Sequence, residues 1–301
     1  MAKPRSQFRI EVEYLAARTV LATLSMGPRG FALKLARLCV GLLDILSPKL
    51  RRVAHRNLVL AFPEMDEKRR WAIADGSFRS IARLLVTLAR MPAMTRENIG
   101  EWIGYDGLEN FHAAKSHSNG VLFATAHLGN WELSAFAHGL LTEPMHVVVR
   151  PLDNPKIDAL VTRLRTMTGN MVIEKKDYAR GILRALGRNE AVGILIDQNT
   201  SLDEGIFIDF FGLQACTNPG FAKVAAHTGA SIIPGFALWN DQQQRYVLKF
   251  YPSFVASGDV QADTQRIHAL LEQVIREHPD QWLWIHRRWK TRPPGEKAIY
   301  S

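Results

Sequence analysis

The 301-residue chain holds only two cysteines, Cys39 and Cys216. That is too few for a disulfide framework or a Cys-based zinc site, and it fits a reducing compartment. No run reaches the roughly 18 uninterrupted apolar residues of a membrane-spanning helix. The nearest, YLAARTVLATLSM (14–26) and FALKLARLCVGLLDILS (31–47), are broken by Arg18 and by Lys34, Arg37 and Asp44. Lys3, Arg5 and Arg9 suit the basic start of a signal peptide. Glu11 and Glu13 stand where its apolar core would begin, so no cleavable signal is expected. A GxSxG elbow, an HExxH helix and the aromatic RNP motifs are also missing, which sets aside an elbow serine, that zinc arrangement and RNA as a partner.

What is present describes a globular protein, with 47% hydrophobic and 22% charged residues. The net charge of +9 suits an acidic partner, either anionic lipid or an acidic carrier protein, or reflects a basic surface with no such partner. Two regimes meet near residue 110. Before it, apolar residues recur at helical spacing. Phe31, Leu35, Leu38, Leu42, Ile45 and Leu46 share one face of 31–47, and Ile73, Phe78, Ile81, Leu84, Leu85 and Leu88 form the expected buried set of 67–90. These helices either pack on their own domain or lie in a membrane interface.

After residue 110, short apolar runs alternate with helical ones. Strands are expected at 120–127, 145–150, 171–174, 191–197, 231–239 and 246–254, with helices near 131–141, 156–168, 178–188, 219–228 and 262–277. Near-continuous apolar strands between helices predict an α/β fold with a mostly parallel central sheet covered on both faces. The expected division is a helical, membrane-associating region at 1–110 and an α/β core at 111–301, with no linker between them.

Sheets of this kind gather function at the carboxyl ends of their strands. Three expected strands end there in polar residues: His127, Arg150 and Asp197. In AHLGNWE (126–132), Gly129 permits a tight turn, Asn130 suits a helix N-cap, and Glu132 falls in the first helical turn. A carboxylate folded back onto the imidazole would fix its tautomer and make His127 a general base. The plainer reading is a helix-start glutamate favoured by the dipole. Arg150, stiffened by Pro151 and Pro155, suits phosphate or carboxylate, or caps loop carbonyls. Asp197 ends a very apolar strand, so it is expected to pair with a cation such as Arg150 or to meet substrate. FIDFFG (207–212) is either core or the wall of an acyl channel. WLWIHRRWKTRPP (282–294) is either packed or a membrane-interface segment. No nucleophile stands out, which points to direct attack by a substrate hydroxyl or amine.

HLGNWE resembles the HX4D/E motif of glycerolipid-type acyltransferases. Together with NLVLAFPEM (57–65), RPLDNP, DQN, FFG and HRRWKTRP it is similar to bacterial lipid A biosynthesis acyltransferases over roughly residues 30 to 294. The resemblance implies acyl transfer from an acyl-carrier-protein thioester to a hydroxyl of a lipid A precursor, at the cytoplasmic face of the inner membrane. His127 would be the base, Glu132 its orienting partner, and Arg150, Asn130, Asn154, Asp197 and Gln198 the substrate-contacting set, with no metal and no cofactor. Where the family often opens on a membrane-spanning helix, this chain has charge-broken segments, implying an amphipathic, monotopic anchor. Water as acceptor would make the same site a thioesterase, and another glycolipid remains open as acceptor.

Overall fold

The computed structural model describes residues 6–174 and 178–300. Four helices come first: α1 (Gln7–Ser25), α2 (Arg29–Leu46), α3 (Pro48–Ala61) and α4 (Glu67–Arg90). The α/β part then runs β1 (Ile103–Asp106), α5 (Leu108–Ser116), β2 (Val121–Thr125), α6 (Trp131–Leu141), β3 (Met145–Val149), α7 (Pro155–Thr166) and β4 (Met171–Glu174). It continues through α8 (Tyr178–Leu186), β5 (Ala191–Leu195), β6 (Ile206–Phe210), β7 (Leu213–Thr217), α9 (Gly220–Thr228), β8 (Ser231–Asn240), β9 (Arg245–Phe250) and α10 (Val260–Glu277).

Seven strands form one sheet in the order β1-β9-β8-β2-β5-β3-β4, while β6 and β7 pair as a separate antiparallel hairpin. Within the large sheet the β8–β9 pair is antiparallel and the other pairs are parallel. The α/β fold with a mostly parallel sheet is therefore as the apolar runs predict. β2 lies near the middle, and Val121, Leu122, Phe123 and Ala124 are buried, as a strand covered on both faces requires. β1 and the β6–β7 hairpin were not expected. β1 has only four residues, and its side chains grade from buried to exposed, a pattern too brief to stand out.

The N-terminal helices share core with the sheet. Leu24, Ala32, Ala36 and Val40 belong to the same apolar cluster as Leu84, Leu88, Phe123 and Phe136. α4 begins at Asp66, whose side chain accepts from the Arg69 N–H, and buries Ile73, Phe78, Leu84 and Leu88 as expected. α2 behaves differently. Its packed face is the small-residue stripe Ala32, Ala36 and Val40. Phe31, Leu38, Leu42, Ile45 and Leu46, read from spacing as the apolar face, point outward, with Leu38 70% and Ile45 76% exposed. Small residues let α2 approach α4 closely, which leaves the larger side chains outside. Among the described residues, no helix is long and apolar enough to cross a membrane.

WLWIHRRWKTRPP is packed inside. Trp282, Trp284 and Trp289 are fully buried, and so is Arg288. α3 and α4 hold this segment from above: Asn57 Nδ2 donates to the carbonyls of Trp284 and His286, both at 2.7 Å, and Ser77 Oγ donates to the Trp282 carbonyl at 2.7 Å. Phe210 and Phe211 join the same cluster, so these two phenylalanines of FIDFFG are core, while Phe207 is half-buried.

The inverted face of α2 is testable by urea unfolding. Ala36→Leu overpacks the α2–α4 contact and should lower stability by about 1–3 kcal/mol. Leu42→Ser lies on the exposed face and should stay within about 0.5 kcal/mol of the parent. Equal losses for the two would contradict this packing.

Candidate active site

β2 leads straight into the site. Past Thr125 the chain reaches His127, then turns at Gly129 into α6. Gly129 has φ +65°, and a Cβ on it would sit 1.9 Å from the Ala237 carbonyl oxygen. Only glycine fits so close to β8 in this conformation. The turn is pinned further by Gly129 N–H to the Gln281 carbonyl and Asn130 N–H to the Ala237 carbonyl, each 2.9 Å.

The carboxylate on the imidazole is Asp197, not Glu132. Asp197 Oδ1 accepts from His127 Nδ1 at 2.9 Å, while Oδ2 accepts from the His127 backbone N–H at 3.0 Å and from Trp282 Nε1 at 2.8 Å. The strand register explains this. β2 and β5 are parallel neighbours with Thr125 opposite Leu195, so two residues further on His127 and Asp197 stand level. With Nδ1 committed as a donor to the carboxylate, the neutral ring has its lone pair on Nε2. The Gln198 side-chain amide lies 3.4 Å from that nitrogen, and the Trp131 ring meets the imidazole edge-on at 4.9 Å.

Burial is the largest influence on His127 and favours the neutral ring. The charge and hydrogen bond of Asp197, helped by the charge of Glu132, outweigh it and raise the pKa above the ordinary 6.5. Asp197 is 3% exposed, and burial alone would raise its pKa. The His127 charge and three donated hydrogen bonds reverse that and hold the carboxyl well below its ordinary 3.8.

Glu132 turns away to Arg165 of α7. Arg165 Nε donates to Oε2 at 2.9 Å and Nη2 to Oε1 at 2.5 Å, a two-pronged, mostly buried pair. Burial acts against the charged guanidinium, but Glu132 prevails and raises its pKa. Arg165 was not found from the sequence, because an arginine in the last turn of a helix is ordinary and nothing in its neighbourhood marks it.

The remaining expected residues divide. Gln198 is in the site. Arg150 is not: its side chain is 80% exposed, with Asp153 at 3.6 Å. β3 neighbours β5, but the register that sets Val147 opposite Gly193 brings Arg150 level with Ile196 rather than Asp197, and both Asp197 oxygens are taken by His127 and Trp282. Asn130 and Asn154 are buried caps. Asn130 Oδ1 accepts from Leu133 N–H and its Nδ2 donates to Thr87 Oγ1 at 2.6 Å. Asn154 caps α7, and its Nδ2 ties that helix to α1 through the Ile10 carbonyl and Glu13. Their amides are engaged inside the fold. Among the described residues, no group of three His, Cys, Asp or Glu side chains is placed to hold a metal ion. Cys216 is buried, and burial raises its thiol pKa.

Past Trp131, the ring against His127, a cleft opens between α6 and the sheet. Trp131, Glu132 and Arg165 stand at its mouth, and Phe123, Val147, Gly193, Leu195 and Phe250 line it. Its walls are overwhelmingly apolar, suited to a hydrocarbon tail. Phe207, Phe210 and Phe211 of FIDFFG, the channel-wall candidates, do not line it.

The sequence has clear relatives. Residues 3–291 match the family described as bacterial lipid A biosynthesis acyltransferase. The lipid A biosynthesis lauroyltransferase of Escherichia coli (strain K12) is 29% identical over 252 residues, 83% of this chain and 82% of that protein. The lipid A biosynthesis palmitoleoyltransferase of the same organism is 29% identical over 258 residues, 84% of each chain. A lipid A biosynthesis acyltransferase of Haemophilus influenzae is 26% identical over 250 residues, 82% of this chain and 78% of its own.

The sign of each shift fixes a pH signature. The fold favours ionised Asp197, so its contribution is present above 3.8 and is lost in acid as pH falls through the depressed value. The fold also favours protonated His127, so that contribution is present below 6.5 and fades as pH rises through the raised value. The pair therefore stabilises most between 3.8 and 6.5. In an NMR titration His127 should show a pKa above 6.5, and Asp197→Asn should bring it below 6.5, because burial then acts unopposed by the nearest charge. An unchanged value in the variant would contradict the assignment.

Proposed function

The chain belongs to the bacterial lipid A biosynthesis acyltransferase family, and from that premise we propose that it moves a fatty acyl chain from an acyl-carrier-protein thioester to a hydroxyl of a lipid A precursor, with His127 as general base. The observation that carries this reading is an imidazole with Nδ1 fixed by Asp197 and only the Gln198 amide, at 3.4 Å, on Nε2, packed edge-on against Trp131, which lines an apolar cleft. Nε2 takes the proton of the acceptor hydroxyl as its oxygen bonds to the thioester carbonyl carbon. The tetrahedral intermediate then collapses, the C–S bond breaks, and the imidazolium returns the proton to the departing thiolate. The activated donor explains why the chain needs no nucleophile of its own.

The negative charge on the carbonyl oxygen has two sources of support. The first-turn N–H groups of α6 lack partners within the helix, and its positive end faces the strand terminus where His127 stands. Arg165, fixed by Glu132, brings a cation to the cleft mouth near enough to weigh on the His127 equilibrium. In this mechanism Glu132 acts by orienting Arg165. Gln198 gives up its place on Nε2 to the incoming hydroxyl.

The outward face of α2 provides membrane attachment. Leu38, Leu42, Leu43, Ile45 and Leu46 are exposed side by side, with the exposed cations Lys34, Arg37 and Lys49 close in sequence. An apolar face bordered by cations suits a helix lying in an anionic bilayer interface, at the cytoplasmic side where the carrier protein is found. The net charge of +9 favours both the acidic carrier and that surface, less so at high salt.

Purified protein given acyl-carrier thioester and a lipid A precursor should form the acylated lipid. His127→Ala should lower the rate by about 10²–10⁴ and Glu132→Gln by about 10². Free fatty acid released equally fast without acceptor would instead make the protein a hydrolase. In vesicle sedimentation, Leu42→Asp with Ile45→Asp should abolish binding to anionic vesicles while the heat-unfolding midpoint holds. Undiminished binding would remove α2 as the anchor.

A further inference from the structure

The buried side chains of His138, Met145, Phe123 and Phe250 are among those lining the cleft between α6 and the sheet. His138 is 1% exposed, and neither ring nitrogen has a hydrogen-bond partner among the described residues. Three phenyl rings hold it edge-on instead: Phe111 at 4.7 Å, Phe123 at 5.1 Å and Phe250 at 5.9 Å. Burial pushes its pKa down to about 3, so the ring is neutral wherever the enzyme works. A neutral imidazole clamped on three sides is a stiff wall. Rotating it aside gains no hydrogen bond and breaks ring contacts.

Resting on the acyl-transfer reading above, we propose that His138 is the end stop of the acyl cavity and so sets the length of chain that the cavity accepts. The geometry gives the length. From Glu132 at the mouth to His138 is six residues of α6, a rise of about 9 Å. Val149 to Met145 on the opposite wall is four strand steps, about 13 Å. A chain of single bonds near 1.5 Å and angles near 111° advances about 1.25 Å per carbon, so that depth houses roughly seven to ten methylenes. With the carbonyl end outside the mouth at His127, the donor is an acyl group of about ten to twelve carbons. Gly193 sets the width on the way down: a Cβ there meets Met145 Cε at 2.7 Å, the mobile tip of a side chain, so alanine fits by driving that tip into the cavity.

The test uses full-length protein and two readouts. Free saturated fatty acids of about 8 to 18 carbons are titrated with heat unfolding as signal, and acyl-carrier thioesters of the same lengths are compared in transfer. The parent should prefer about ten to twelve carbons in both. His138→Ala should move the preference at least two carbons longer, raising affinity for the longer chain about tenfold or more, since each buried methylene is worth roughly fourfold. His138→Phe, which keeps the wall, should not lengthen it, and Gly193→Ala should shorten it. If His138→Ala loses its cooperative unfolding transition, the Gly193→Ala shift decides. Transfer that persists with the same length preference in the alanine variants overturns the end stop and leaves the enzymatic reading intact. Fatty-acid preferences that shift as expected without any thioester transfer support the cavity and overturn the enzymatic reading.

Discussion

The level pairing of β2 with β5 is the constraint on which the site depends. It sets His127 beside Asp197 at the carboxyl end of the sheet, and a slip of one strand by one residue would leave the two side chains on opposite faces. An ionised carboxylate buried this deeply would cost several kcal/mol unpaired. Three donors converge on it, two from His127 and one from the Trp282 indole, so the acid stays charged. The imidazole is thereby held in one tautomer with its Nε2 lone pair toward the Gln198 amide.

Much of the remaining fold fixes this arrangement in place. The C-terminal tryptophans form a buried floor that delivers the Trp282 hydrogen bond, and α3 and α4 clamp that segment through Asn57 and Ser77. Gly129 lets the turn after His127 press against β8, and Asn130 starts α6 from that turn. α6 then has three tasks along its length. Its N-terminus faces the reacting groups, Glu132 in its first turn anchors Arg165, and His138 further down closes the cavity.

The fold class could be read from the sequence because buried parallel strands are continuous apolar runs, and the six expected strands all appear. His127 was legible for a related reason: an ionisable group at the end of such a strand is conspicuous. Its partner was not. Glu132 is near in sequence, and Asp197 is near only once β5 is known to lie beside β2, a fact that no local pattern carries. Asp197 was recognised as needing a partner, but the register that sets it level with His127 rather than Arg150 was unknown. Arg165 and the cavity walls come from separate elements that tertiary packing alone brings together. Spacing likewise found the apolar stripe on α2 but could not say which face packs, because a stripe of alanines was enough to bury the opposite side.

The central claim is that Asp197 holds a proton on His127 Nδ1 and leaves Nε2 as the base. Nitrogen chemical shifts of ¹⁵N-labelled histidine, read above the His127 pKa in the parent and in Asp197→Asn, test it directly. A protonated Nδ1 and bare Nε2 in the parent, lost in the variant, is the expected result. A parent ring carrying its proton on Nε2 would contradict the claim.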